Sequence, residues 1–451
     1  MYTSFIGKKF LTLYKEKYQK PDNYSAQQFF DEVMFPLFFD NEQHLMHVHG
    51  STFFQKVGKN DLKSGVSESL IRLSRLHRDI DNKKYSGSTY VGYAAEKIQE
   101  VTSGQVTSLD CKIDSEEIYA SWIGEGLAVG LSGGIVLLQD EKILWELFAG
   151  WKFYRKFLEQ TPNMKGRQIE TWNGYWLCHF LNKKFVKERP LDNFNLPLQG
   201  SDEEKNAIFI PAQKWSSIIF MLAKKHPNSI ITAYSYFLGK TNTTYGFINL
   251  YLPEVSEIYN LRDKFFIDHE ATILSDEQIE RLEVFYIFKN ACKLGSIGLK
   301  SIEPAKLREY MPVGSIEYAQ GHEYKFTDEK SYLNYSLYKL WMIAMLKKTK
   351  LLDLASDIAK ALSEFEKQTQ PSNRGKTNIS QLSQEVRESR SKLMFIDKLT
   401  KLLEKTPENG ELFKNVVEEV INLSSDTFPV FITLIRFEYA YLQSKNKCIK
   451  F

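Results

Sequence analysis

The sequence predicts an α+β protein: a mixed α/β N-terminal body over residues 1–325, then an all-helical C-terminal bundle over residues 326–451. Three observations predict it. Apolar residues recur every three or four positions along much of the chain, which places them on one helix face. Glycine-rich and β-leaning segments interrupt that pattern only before Gly321. From Thr327 onward strand signals almost vanish.

Ser4 to Lys20 reads as a first helix, with Phe5, Phe10, Leu11, Tyr14 and Tyr18 at helical spacing and Pro21-Asp22-Asn23 as its stop. Ser25 is placed to cap a second helix that runs through Phe29, Phe30 and Val33 and stops near Pro36. Gly50 to Gly65 is loop-like, Ser67 to Asp79 helical, and Ser86 to Gly92 a turn region. Ile118 to Leu138 carries Gly124, Gly126, Gly130, Gly133 and Gly134. Each glycine costs a helix about 1 kcal/mol, so tight strands and turns are expected there. Lys142 to Leu158 returns to helical spacing and ends at Thr161-Pro162-Asn163. Met164 to Gln168 is a polar loop, after which Thr171 to Gly174 opens another element. Trp215 to Lys225 reads as a helix, and Ile230 to Leu238 and Phe247 to Leu252 as strands. Ser275 carries a helix-start signal. Five helices follow: Tyr332 to Leu346, Leu351 to Phe365, Ile379 to Leu403, Leu412 to Leu423, and Phe428 to Leu442 with Pro429 in its first turn. Gln370 to Thr377 is a polar linker.

Composition narrows the class. With 31 Phe and 24 Tyr, most rings must be core or interface, because few can stay exposed. The 59 Lys and Arg nearly balance 56 Asp and Glu, so no overall basic charge argues for free nucleic-acid binding. Cys111, Cys178, Cys292 and Cys448 form no C-x-x-C pair, which fits free thiols in a reducing compartment. Neither a signal peptide nor a bilayer-length apolar run is readable, and a soluble cytoplasmic protein with no membrane partner is expected.

Each catalytic pattern fails for a stated reason. His44, His47 and His49 form H-x-x-H-x-H, which matches neither a metalloprotease helix nor a zinc finger. Gly130-Leu131-Ser132-Gly133-Gly134 matches G-x-S-x-G, but the accompanying oxyanion motif is absent. Gly239-Lys240-Thr241 ends like a phosphate loop, yet Tyr234 stands where its first glycine belongs. Asp268-His269 lacks the further histidines of a metal phosphohydrolase, and His77-Arg78-Asp79 lacks the rest of a kinase. No enzyme, metal or cofactor is expected, with a serine hydrolase on Ser132 or a protein-only scaffold as the alternatives.

Polar loops remain. Lys56, Lys59 and Asn60 lie in GSTFFQKVGKN, interleaved with Phe53 and Phe54; Lys165, Arg167 and Gln168 lie in NMKGRQ; Asn242 lies in TNTTYG. These side chains suit phosphates and base edges, and the glycines permit close backbone approach. Lys347, Lys348, Lys350, Arg374 and Lys376 add a basic region in the helical part.

Five segments carry a family likeness: FPLFFDNEQ from Phe35, SGQVT from Ser103, the glycine-rich stretch Ile123 to Gly134, ETWNGYWL from Glu170, and TNTTYGFI from Thr241. With the mixed body and helical bundle, they make the chain resemble the large subunit of type I CRISPR surveillance (Cascade) complexes. The paired C-x-x-C motifs of one branch are missing. The resemblance implies a non-catalytic subunit for antiviral defence. Such a subunit reads the protospacer-adjacent motif in double-stranded DNA, helps open the duplex, contacts the guide RNA end and backbone subunits, and docks the helicase-nuclease. It implies that the bundle corresponds to the small subunit, and that an internal start near Met342 or Met345 could produce that part separately.

Overall fold

The computed structural model describes residues 1–41, 46, 51–58, 61, 65–93, 113–166, 168–200, 206–237, 243–266, 275, 278–279, 295–302, 329–346, 350–368, 378–423 and 427–448. The fold is α+β, with a small mixed sheet and a helical C-terminal region. Two units emerge: Met1–Leu252 with Phe285–Ile297, and Pro253–Val284 with Gly298–Phe451.

The first unit is organised around α1 (Tyr2–Lys17). Its buried face carries Thr3, Ser4, Ile6, Gly7, Phe10, Leu11 and Tyr14, the helical spacing expected. Two further helices are α2 (Ala26–Phe29) and α3 (Glu68–Asp81, capped by Ser67). Ser25 and Gln28 cap α2 reciprocally, satisfying two amides that a helix start leaves unpaired. The chain does not stop at Pro36. It widens into a π-helical segment, Phe30–Phe39, closed by the Asp40 amide on the Phe35 carbonyl at 2.9 Å. This winding buries Phe30, Met34, Phe35, Phe38 and Phe39 together, a tertiary gain that local propensity does not register.

The glycine-rich segment also departs from expectation. Ser115–Gly126 is a helix, α4, capped by Asp114, and strands begin only at β1 (Val129–Leu131) and β2 (Gly134–Leu138). The reason is contact. A Cβ on Gly124 would lie 2.0 Å from the Thr3 carbonyl oxygen, and one on Gly7 1.8 Å from that of Ala120. Glycine is required because α1 and α4 touch backbone to backbone, which outweighs its helix penalty. Beside the crossing, Thr3 Oγ1 donates to the Val91 carbonyl at 2.8 Å, the Val91 amide to Ser121 Oγ at 3.0 Å, and Trp122 Nε1 to the Thr89 carbonyl at 2.8 Å.

Next come α5 (Glu141–Gln160), α6 (Ile169–Leu181), the short strands β3 (Gln199–Gly200) and β4 (Ile208–Phe209), and α7 (Trp215–Lys225). Strands β5 (Ile230–Phe237), β6 (Thr243–Tyr251) and β7 (Ser296–Ile297) complete a sheet of order β1-β2-β5-β6-β7, antiparallel except between β6 and β7. On one sheet face Val136, Leu138, Ile248 and Leu250 meet Trp215, Ile218 and Ile219 of α7. The side chains one position out of phase, including Leu137, Tyr234, Tyr236 and Phe247, point to the other face.

In the second unit, α8 (Leu252–Phe266) starts with Pro253 in its first turn, where a missing N–H is harmless. The remaining helices are α9 (Glu329–Leu346), α10 (Lys350–Gln368), α11 (Asn378–Arg387), α12 (Lys392–Leu403), α13 (Gly410–Ile421) and α14 (Phe428–Cys448). The expected single helix Ile379 to Leu403 is two. Ser391 caps α12 by accepting the Met394 amide, and Ser389 Oγ turns back to the Glu385 carbonyl. Lys398 and Glu385 bridge the break at 2.6 Å. The linker Gln370 to Thr377 and most of Ser275 to Leu294 lie outside the described residues. Among the described residues no helix is long and apolar enough to cross a membrane.

The α1–α4 crossing generates a prediction. Gly124→Ala should lower unfolding free energy by about 3 kcal/mol, because backbone rather than a flexible side chain must move. Chemical denaturation measures this. A loss below about 0.5 kcal/mol, the scale of an ordinary surface change, would refute the contact argument.

Candidate functional site

Lys56 lies in a segment anchored by Phe53. That ring, interleaved with basic residues in the sequence, is 1% exposed and stacks on Phe39 with centroids 4.3 Å apart. Beyond it, α3 holds the chain. Arg72 Nε donates to the Gln55 carbonyl and Arg75 Nη1 to the Lys56 carbonyl, both at 3.2 Å. Arg72 also pairs with Glu68 at 2.5 Å and Arg75 with Asp61 at 2.7 Å. Both guanidinium groups thus position backbone, and the Lys56 side chain projects into solvent, where a phosphate can meet it. Arg72 and Arg75, three positions apart on one helix, are the supporting residues that sequence reasoning missed.

Lys165 and Gln168 share the loop between α5 and α6. The Lys165 amide donates to the Ile208 carbonyl at 2.7 Å. Gln168 Oε1 accepts the Ile210 amide at 2.9 Å, and its Nε2 donates to the Gly166 carbonyl at 3.1 Å. One end of that side-chain amide ties the loop to the segment after β4 and the other closes the loop on itself, so in this structure Gln168 bonds to backbone at both ends. Lys350 belongs to the second unit and pairs with Glu419 at 3.2 Å. Such an exposed pair contributes about 0–1 kcal/mol and yields readily to a phosphate. Lys59, Asn60, Arg167, Asn242, Lys347, Lys348, Arg374 and Lys376 lie outside the described residues, as do His44, His47, His49 and His269.

Ser132 has no nucleophile geometry. Gly130 to Gly134 is the hairpin between β1 and β2, with Gly133 at φ 94°, whereas an elbow needs a strand followed by a helix. The Ser132 hydroxyl donates to the Ala212 carbonyl at 3.4 Å, which cannot take up its proton. His77 is a structural bridge: Nδ1 lies 2.5 Å from the Tyr119 hydroxyl and Nε2 3.2 Å from Asp31 Oδ1. Among the described residues no group of three His, Cys, Asp or Glu is placed to hold a metal.

A different constellation lies inside the first unit. Glu125, in the last turn of α4, is 0% exposed, and Glu170, in the first turn of α6, is buried beside it in electrostatic reach. The Tyr236 hydroxyl donates to Glu125 Oε2 at 2.5 Å. Asn173, one turn beyond Glu170, donates to the carbonyls of Gly126 and Ala128 at 2.9 and 2.8 Å. Gly130 lets α6 lie this close, since a Cβ there would be 3.0 Å from the backbone of Glu170 and Thr171. Burial pushes the Glu125 carboxyl up to about 7, opposed by the Tyr236 hydrogen bond. Burial, then the charge of Glu125, pushes Glu170 up to about 8. Burial and the two carboxyls push the Tyr236 phenol well above its ordinary range. None of these shifts has a cation as its cause, so the pair keeps at least one proton at neutral pH. Being sealed, it is an internal titrating centre rather than a substrate site.

The sign of its pH dependence follows. A carboxyl raised above its unfolded value contributes stability that is complete below that value and lost as pH rises through the folded one. Between about pH 5 and 8 the first unit should therefore melt at falling temperature, and Glu125→Gln should flatten the curve. Scanning calorimetry of both proteins across that range checks it; parallel curves would refute the proton-sharing account.

No family model, no curated protein and no solved structure matches the chain.

Proposed function

We propose that this chain is the non-catalytic, nucleic-acid-binding large subunit of a cytoplasmic type I CRISPR RNA-guided surveillance complex. In that role it recognises the protospacer-adjacent motif in double-stranded DNA, assists duplex opening and docks the helicase-nuclease. The observation that carries the reading is the joint appearance of the five family-like segments and an α+β body ahead of a helical region. Three of those segments also pack together in the first unit. Asn173 of the ETWNGYWL segment bonds to the carbonyls of Gly126 and Ala128 in the glycine-rich stretch. Tyr245 of TNTTYGFI donates to the Gly133 carbonyl of that stretch at 3.4 Å. Residues that carry a likeness and converge in space are expected to serve one architecture.

In this reading Lys56 is a phosphate contact on a braced loop, and its partners are guide RNA, target duplex and the backbone subunits. The hydrolase alternative loses its support with the hairpin at Ser132. A protein-only scaffold remains the competing outcome.

Purification of the tagged chain from its native host, with sequencing of bound RNA, tests the proposal. A uniform short RNA with a constant repeat-derived end, accompanied by several proteins, is the expected result; a clean monomer without RNA would sink it. Within the assembled complex, Lys56→Ala should weaken target binding about equally across sequences. It should also reduce the salt-dependence slope by about 1, as expected for one lost phosphate contact.

A further inference from the structure

The outer face of α5 gathers positive charge. Lys142, Trp145, Glu146, Lys152, Phe153 and Lys156 recur at helical spacing and form one stripe, while Leu144, Leu147 and Trp151 fill the buried side. The three lysines of the stripe are exposed. Lys17 joins it from the end of α1, its Nζ 3.9 Å from the centroid of the Trp145 ring. Lys187 joins it from the loop after α6. Trp176 ties that loop to the stripe: its ring stacks on Phe153 at 5.1 Å and meets Phe185 at 6.3 Å, and its Nε1 donates to the Glu146 carbonyl at 2.8 Å. Lys187 stands close enough to Glu146 to act on its carboxyl. Five lysines from three parts of the chain thus share one face of the first unit.

Rings rather than carboxylates hold two of them. Lys152 Nζ lies 4.9 Å from the Phe153 ring centroid, much as Lys17 lies over Trp145. A ring orients an ammonium without cancelling its charge. Among the described residues none of the five lysines is in an ion pair. The neighbouring acids are engaged elsewhere, Glu141 with Lys9 at 3.5 Å and Glu159 with Arg155 at 3.4 Å. Glu188 follows Lys187, but Lys183 and Lys184 on the same loop outnumber it. Glu146 is the acid of the stripe itself. Burial pushes its carboxyl up to about 7, opposed by Lys17 and Lys187, so it offsets the lysines only in part at neutral pH. An ordinary surface intersperses both signs.

The chemistry of this face selects its partner. Protein interfaces are poor in lysine. Lysine meets phosphate as a point charge, whereas arginine suits planar carboxylates, and the stripe has no arginine. A single strand needs free ring faces for its bases, but ammonium groups cover Trp145 and Phe153. Lys142 and Lys156 stand about 21 Å apart along the helix, more than the roughly 12 Å width of a major groove, so the row can reach phosphates on both sides of one. We propose that this face of α5 binds the phosphate backbone of double-stranded DNA. The proposal deepens the nucleic-acid reading above and rests on it for the biological role of the duplex. Its contacts position the duplex and carry no sequence information.

Fluorescence anisotropy of the full chain with a labelled duplex of about 20 base pairs, between about 50 and 200 mM salt, tests it. The duplex should bind, with affinity falling steeply as salt rises. Lys152→Gln, Lys156→Gln and Lys187→Gln combined should weaken binding at least about tenfold and reduce the salt slope by about 3. Lys360→Gln, Lys401→Gln and Lys414→Gln combined remove the same charge from exposed positions of the second unit and should leave both values unchanged. Lys156→Gln alone should reduce the slope by about 1, and it serves if the first triple variant misfolds. Equal losses in the two triple variants, or an unchanged slope in the first or in Lys156→Gln, would overturn the surface. Displacement of the duplex by oligo(dT), polyglutamate or phosphatidylserine vesicles as readily as by unlabelled duplex would overturn duplex DNA as its partner. Duplex binding that the first triple variant loses, although no RNA co-purifies from the host, would defeat the complex and leave the surface standing. An RNA-containing complex whose target affinity is unmoved by that variant would defeat the surface alone.

Discussion

The first unit depends on the backbone contact between α1 and α4. Once Gly7 and Gly124 bring the two helices together, the side chains around them have little freedom. Ser4 reaches Glu117 at 2.8 Å, and Ser121 is near enough to take the Val91 amide. The chain at Thr89–Val91 is thereby strapped to both helices. At the far end of α4, Gly126 receives the Trp151 ring, and Trp151 Nε1 returns a hydrogen bond to the Gly126 carbonyl at 3.0 Å. Glu125 sits between these contacts. Its burial is a consequence of where the helix must lie, which is how a carboxyl comes to occupy an apolar interior.

This also explains what could be read from sequence. Helices α5 and α7 and strand β5 were legible because their apolar spacing and their burial agree. Helix α4 was not. Its glycines lower local helix propensity, and the compensating contact comes from residues more than a hundred positions away. The π-helical Phe30–Phe39 was hidden similarly, since Pro36 is a local stop and the burial of four phenylalanines is not local. The α11–α12 break was within reach: Ser389 and Ser391 are capping residues inside an apolar repeat. For the site, residue type pointed to Lys56 but could not show the arginine brace below it. The backbone bonds of Gln168 were not legible either, because an amide side chain satisfies backbone as readily as a base edge.

Ionisable groups here act in two opposite ways. At Glu117 burial raises the carboxyl, but hydrogen bonds from Lys8, Ser4 and Tyr90 outweigh it and hold the group below its ordinary range. Its stabilising effect is present above that range and lost in acid. Glu125 and Glu170 behave in reverse, because no cation offsets their burial. Both carboxyl environments border the same helix, α4. The crossing is therefore firmest near the ordinary carboxylate range, where the Glu117 contribution is complete and that of the buried pair has not begun to be lost.

The sheet carries this division outward. Tyr234 and Tyr236 are two residues apart on β5, share a face, and have ring centroids 5.9 Å apart, yet one donates to a sealed carboxyl and the other adjoins open rings. A register irregularity between Ser235 and Tyr236 lies between them. A bulge of this kind sharpens local twist and re-aims the strand, so one face can turn from core to surface within a single step. Toward β5 and β6 the exposed side chains of this face, Phe247 and Ile230 foremost, are apolar rather than charged. An edge left open by accident would be expected to gather charges, as surfaces that must stay in water do. Strands β5 and β6 contain no charged residue between Ile230 and Phe237 or between Thr243 and Tyr251. Their open face therefore carries apolar and amide side chains without charge, the composition of a sheet face whose burial ends partway along the strands.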